Sequence, residues 1–151
     1  MPDYTTYNHS VCNINYHFVW CTKFRKSVLV HDKDIITIFM DICHQYSWII
    51  NAIEVIPDHV HVFISAPPFD PPSKIAKLLK GISTRKIFKL SPFLCKELWE
   101  GHLWSLSYYC GPAGAVFSST IKDHVASQCS TQFFPQFFSR RNSGVSLGIS
   151  I

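Results

Sequence analysis

Residues 49–65 read IINAIEVIPDHVHVFIS, and the fold turns on them. Ile49 to Ile56 is rich in β-branched residues, the composition of a strand. Pro57-Asp58 is a turn signal. His59 to Ser65 reads as the returning strand, so the two segments form an antiparallel hairpin. Pro67, Pro68, Pro71 and Pro72 end it in a stiff connection.

On the N-terminal side, Asn13 to Cys21 holds Tyr16, Phe18, Val19 and Trp20 and reads as a strand. Lys23, Phe24, Arg25 and Lys26 follow as a basic loop with an aromatic in it. Between Asp32 and Trp48, Ile35, Ile38, Phe39, Ile42 and Tyr46 keep helical spacing, and Asp32 or Asp34 suits the helix start. On the C-terminal side, Ser73 can cap a second helix, with Pro72 before it and Ile75, Leu78, Leu79, Ile82 and Leu90 along it. Leu103 to Cys110 reads as a fourth strand, broken by Gly111, Pro112 and Gly114. Ser118 or Ser119 then caps a last helix carrying Ile121, His124, Val125 and Gln128. This order predicts an α+β fold: a ferredoxin-like, split βαβ antiparallel sheet with helices on one face, plus a C-terminal helix. Residues 1–130 form the expected single domain, and the tail 131–151 receives no structural assignment.

Composition narrows the class. With 47% hydrophobic and 16% charged residues among 151, the chain is globular rather than disordered. No apolar run approaches the roughly 20 residues of a membrane span, and Met1-Pro2-Asp3-Tyr4 does not begin a secretory signal. A cytoplasmic protein without membrane association is expected. The six cysteines form no CxxC or other zinc-type pair and read as buried or idle thiols. A net charge of +4 tilts the chain mildly toward polyanions.

Three signals carry possible chemistry. His59 and His61 flank Val60 in a strand, so both imidazoles point to one face and can bind one divalent ion. Two ordinary histidines are the plainer reading. His124 and Gln128 are four apart and share a helix face. A glutamine oxygen is a hard ligand suited to Mg2+ or Mn2+, although such a pair also occurs as an ordinary polar face. Lys74, Lys77, Lys80, Arg85, Lys86 and Lys89 make the second helix basic. Phosphate contacts from Lys74, Lys77 and Arg85 would give salt-dependent DNA affinity; a solvated helix face is the alternative.

In combination these segments resemble a known family. Ile56-Pro57-Asp58-His59-Val60-His61 leads into Val62-Phe63-Ile64, and Leu103-Trp104-Ser105 into Ser107-Tyr108-Tyr109. Gly114-Ala115-Val116 and the run from Ile121 to Gln128 come last, while His17-Phe18-Val19-Trp20 and Lys23-Phe24-Arg25 fit at the start. The chain resembles the single-tyrosine HUH transposases of the insertion-sequence 200/605 type and their REP-associated relatives, from about Asn13 to Gln128. The resemblance implies that His59, His61 and Gln128 hold a divalent metal that polarises the scissile phosphate. It implies a homodimer acting on single-stranded DNA hairpins at element ends. It also implies a tyrosine nucleophile four residues before the glutamine, where this chain has His124. A phenol oxygen is lost there and an imidazole is shorter, so strand cleavage is expected to be impaired. Tyr108 and Tyr109 lie on the predicted fourth strand and are poor substitutes on the same geometric ground. The rival readings are a catalytically inactive hairpin-binding protein, or an unrelated ferredoxin-like RNA binder or small-molecule sensor with an accidental histidine pair.

Overall fold

The computed structural model describes residues 5–98 and 101–113. The expected last helix, with His124 and Gln128, and the tail 131–151 lie outside the described residues. In chain order the elements are β1 (Thr5–Tyr7), β2 (Ser10–Cys12), β3 (Asn15–Cys21), a 3-10 turn (Lys23–Arg25), α1 (Asp32–Gln45), β4 (Ile49–Ile56), β5 (His59–Ser65), α2 (Pro72–Leu90), α3 (Pro92–Glu97) and β6 (Tyr109–Pro112). β3 to β6 form one antiparallel sheet in the order β4-β5-β3-β6. That is the interleaved β3-α1-β4 and β5-α2-β6 arrangement of a ferredoxin-like sheet, as expected. The β1–β2 hairpin stands apart as a two-stranded sheet.

Alternation along each strand divides the sheet into two faces. Phe18, Trp20, Val60, Val62 and Ile64 face α1 and α2, where they join Ile38, Phe39, Ile42, Ile75 and Leu79 in one buried cluster, with the partly buried Ile53 and Val55 packed against it. Ile50 belongs to the same cluster although it is three residues from Ile53. A shift in register between Ile50 and Ala52 makes this possible: one extra residue returns Ile50 to the core face.

The helix ends differ from the sequence reading in instructive ways. His31 precedes α1 without a side-chain cap, and Asp32 and Asp34 occupy the first turn, where carboxylates suit the helix dipole. α1 stops at Gln45 because Ser47 takes φ 58°. Its N–H donates to the His44 carbonyl, and that of Trp48 to the Cys43 carbonyl, at 3.2 and 2.9 Å. This is the Schellman pattern, with serine in the usual glycine position. Ser73 does not cap α2. Pro71 precedes the helix and Pro72 opens it, supplying a pre-set φ and no N–H to satisfy.

The fourth strand is shorter and later than expected. It runs Tyr109–Pro112, so Gly111 and Pro112 lie within it rather than ending it. Pro112 is tolerated because β6 is an edge strand. Leu103 and Trp104 are buried by packing, outside any named strand. Trp104 Nε1 donates to Ser83 Oγ at 2.8 Å. Lys80 Nζ donates to the carbonyls of Ser105 and Leu106 at 2.6 and 3.0 Å, satisfying groups a strand ladder would otherwise take.

Asp70, in the β5–α2 connection, ties Trp48, just before β4, to Lys74 in the first turn of α2. Its buried carboxylate accepts from Trp48 Nε1 at 2.7 Å and from Lys74 Nζ at 2.5 Å. Burial pushes the Asp70 pKa up, but the bonds from Lys74 and Trp48 outweigh it and hold the group below the usual range. Asp70→Ala leaves the Trp48 N–H unpaired and should lower stability by about 1–3 kcal/mol. Asp70→Asn, which keeps an acceptor for Trp48, should cost less; urea unfolding of both variants measures the difference.

Candidate metal centre and nucleic-acid face

β5 is paired on both edges, to β4 and to β3. Because Val60, Val62 and Ile64 face the helices, His59, His61 and Phe63 project from the other side. Register fixes their neighbours: His61 lies between Glu54 and Val19, and His59 between Ile56 and Cys21. Phe63 lies between Ala52 and His17. The rings of His59 and His61 are 5.2 Å apart, centroid to centroid. His61 is 6% exposed, while His59 is partly open.

Each imidazole has a partner on its Nδ1. His59 Nδ1 lies 2.5 Å from Asp58 Oδ1, and as donor it fixes the ring against the carboxylate. The other oxygen, Oδ2, accepts from Arg25 Nε and Nη2 at 3.1 and 2.9 Å. Burial alone would raise the Asp58 pKa; the bonds from His59 and Arg25 bring it below the usual range. Arg25 reaches Asp58 from a turn in which Phe24 and Arg25 hold φ of 58° and 53°, a region that side chains other than glycine rarely occupy. The same turn is stitched to the β4–β5 corner by Thr22, whose N–H donates to the Asp58 carbonyl at 2.9 Å. On the second histidine, His61 Nδ1 lies 3.1 Å from His17 Nε2. Burial, then the charges of His59 and His17, push the His61 pKa down to about 3. His61 is therefore neutral near pH 7, the form that ligates metals.

Glu54 supplies a carboxylate to this face. Its Oε2 is buried and, among the described residues, accepts no hydrogen bond. Burial raises its pKa and the charge of His59 opposes that rise. A buried, unpartnered carboxylate oxygen beside an imidazole pair is an environment that favours a cation. Among the described residues, no three His, Cys, Asp or Glu side chains are grouped closely enough to hold a metal alone. The histidine pair fits a divalent ion if further donors join it.

The basic residues predicted to touch DNA sit elsewhere. α2 covers the core face of the sheet, opposite the histidines, so Lys74, Lys77 and Arg85 do not converge on them. Lys74 is engaged by Asp70, whereas Lys77 and Arg85 are exposed. Lys80, part-buried against three backbone carbonyls, is pushed down to about 8 by burial. Tyr109 does share the histidine face, with its ring 6.0 Å from that of His17. Tyr108 packs against the core instead, 6.2 Å from Phe18. Asp58, His17 and Glu54 enter the site without having been singled out for it in the sequence. Period-two alternation within β4 was enough to place Glu54 opposite Ile53 and Val55. Asp58 was visible only as a turn residue, and His17 required the β3–β5 register.

Comparison with known proteins agrees with this architecture. The sequence profile of IS200-like transposases matches residues 10–128. The ISDra2 transposase TnpA of Deinococcus radiodurans is 37% identical over 123 residues, spanning 78% of this chain and 86% of that protein. The transposase for insertion sequence element IS200 of Salmonella typhimurium is 25% identical over 130 residues, spanning 85% of each. Among solved structures, a transposase candidate from Deinococcus radiodurans R1 superposes with a TM-score of 0.68 at 32% identity, covering 82% of this chain and 97% of that one. The REP-associated tyrosine transposase bound to a REP hairpin shares the fold, with a TM-score of 0.53 at 17% identity over 80% of this chain and 68% of that one. On the profile match and the 37% identity, the chain belongs to the family of IS200-like transposases.

Proposed function

We propose that this protein is a transposase for single-stranded DNA whose metal site is retained and whose strand cleavage is impaired by His124. The observation that carries the reading is the pair His59 and His61 on one face of a central strand, each with a fixed partner on Nδ1. Gln128 is the proposed third ligand, and the mixed nitrogen and amide-oxygen set suits Mg2+ or Mn2+. A divalent ion held there supplies Lewis-acid polarisation of the scissile phosphate. Asp58 and His17 hold the ligand rings, which keeps the phosphate-facing atoms in one place as the reaction requires.

In the proposed family reaction a tyrosine oxygen bonds to phosphorus while the phosphorus–O3′ bond breaks. The departing oxygen takes a proton and becomes a 3′-hydroxyl, which later attacks a new phosphotyrosine linkage. The bond energy is kept in the covalent intermediate, so no nucleotide cofactor is needed. This chain has His124 where the tyrosine is expected. An imidazole nitrogen would have to form a nitrogen–phosphorus bond from a different reach, and reactivity falls steeply with such misplacement. His124 also favours a second reading, a hairpin-binding protein without cleavage.

The proposed substrates are single-stranded hairpins at element ends, by analogy with the hairpin held by the REP-associated transposase. Phe24 is 63% exposed, with Lys23 Nζ 5.4 Å from its ring centre, beside the Asp58–His59 corner. An exposed aromatic next to cations suits base stacking on a single strand. Lys77 and Arg85 are proposed to touch phosphates of a duplex stem away from the histidines. The proposed assembly is a homodimer. Among the described residues no helix is long and apolar enough to cross a membrane.

His124→Tyr, tested with a labelled hairpin and Mn2+, should form a covalent protein–DNA adduct that the native chain lacks. An adduct from the native chain would mean another nucleophile, locatable by mapping the linkage; an adduct from neither would favour the binding protein. Replacing Lys77 and Arg85 by Ala should flatten the salt dependence of hairpin binding by roughly 0.7–0.9 in log–log slope for each phosphate no longer neutralised. An unchanged slope removes α2 from the DNA surface.

A further inference from the structure

The two histidines of β5 are oriented by unlike partners: His59 by a carboxylate, His61 by a third imidazole from β3. A hydrogen bond between two imidazoles needs one donor and one acceptor. If His17 donated, a neutral His61 would carry its proton on Nε2 and have no lone pair there for a metal. With His61 as donor, its Nδ1–H is spent on His17 and its Nε2 lone pair is of the ligand form.

We infer that His17 is a positioning residue for the metal centre, accepting the His61 Nδ1–H through Nε2 and so fixing both the tautomer and the ring plane of His61. The inference rests on reading His59 and His61 as metal ligands. His17 is well held for this task. Its ring stacks on Phe63, 4.1 Å between centroids and 6° from parallel. Its backbone pairs with Phe63 on one side and with Gly111 on the other. A Cβ at Gly111 would run into the Tyr109 ring, so glycine there lets that ring settle edge-on to His17, at 73°. The His61 ring is in turn nearly parallel to His17, 5.4 Å away and inclined by 21°. Metal-ligating histidines commonly give their second N–H to a carboxylate or carbonyl, and here an imidazole takes that place.

Two variants separate a positioning role from a packing role. His17→Phe keeps a ring against Phe63 and removes the acceptor; His17→Gln restores an acceptor oxygen without the ring. Mn2+ titration of the full chain should show His17→Phe weakened roughly 10- to 100-fold, with His17→Gln close to native. Nitrogen-15 NMR of the metal-free samples should find His61 protonated on Nδ1 in the native and Gln forms but not in the Phe form. Native-like Mn2+ binding and an unchanged His61 tautomer in His17→Phe would overturn the inference. Equal weakening in both variants would overturn it too, because the ring rather than the acceptor would then matter. If the native chain bound no Mn2+, the ligand reading itself would fall, whereas the metal-free tautomers would still report on the His17 bond.

Discussion

Period-two alternation along β5, a strand hydrogen-bonded on both edges, is the constraint on which the rest depends. It sends Val60, Val62 and Ile64 into the core beneath α1 and α2, and His59, His61 and Phe63 to the opposite face. The two outcomes cannot be separated. A slip of one residue would drive both imidazoles into an apolar layer and expel three β-branched side chains. The hydrophobic effect that stabilises the sheet therefore also sets the register of the proposed metal ligands. A site built on a central strand inherits the rigidity of that strand, whereas a loop-borne site would not.

Around that strand the rings of the proposed ligands are held by a relay of charged and polar groups. Arg25 fixes Asp58, Asp58 fixes His59, and the turn carrying Arg25 holds its backbone in a left-handed region at two successive residues. Such a conformation costs roughly 1–3 kcal/mol per residue and persists only where neighbouring contacts enforce it. Here the contacts are the bonds from Thr22 and Leu29 to the carbonyls of Asp58 and Pro57, at 2.9 and 3.0 Å. On the other side His17, stacked on Phe63, meets His61. Glu54 adds to the face a buried oxygen that has no hydrogen-bond partner among the described residues.

Much of this was legible in the sequence, and the limits have physical causes. The hairpin 49–65, both long helices and the His–x–His pair follow from local periodicity, which tertiary packing then reinforces. The sequence puts the start of β6 too early, because Leu103 and Trp104 are apolar as core residues rather than as part of a continuous strand. Both are buried and Trp104 bridges to Thr22 at the end of β3, but the pairing stops there, and Lys80 takes the carbonyls of Ser105 and Leu106. Ser73 has the chemistry of a cap, but Pro71 and Pro72 set the helix entry before it. His17 could not be assigned a role from local pattern alone, since its partner lies 44 residues away and only the strand register joins them. The pairing of Lys74 with Asp70 is invisible in the sequence without the turn that brings the carboxylate to the helix start.

The central claim is that His59 and His61 jointly hold a divalent metal on the face of the sheet opposite the helices. Mn2+ titration of the native chain and of His59→Ala, followed by electron paramagnetic resonance, tests it most directly, with circular dichroism to confirm that both are folded. The account predicts saturable binding by the native chain and at least about tenfold weaker binding by the variant, as removing a direct ligand should cost no less than removing an outer-shell partner. Equal affinity in the two folded proteins would contradict it.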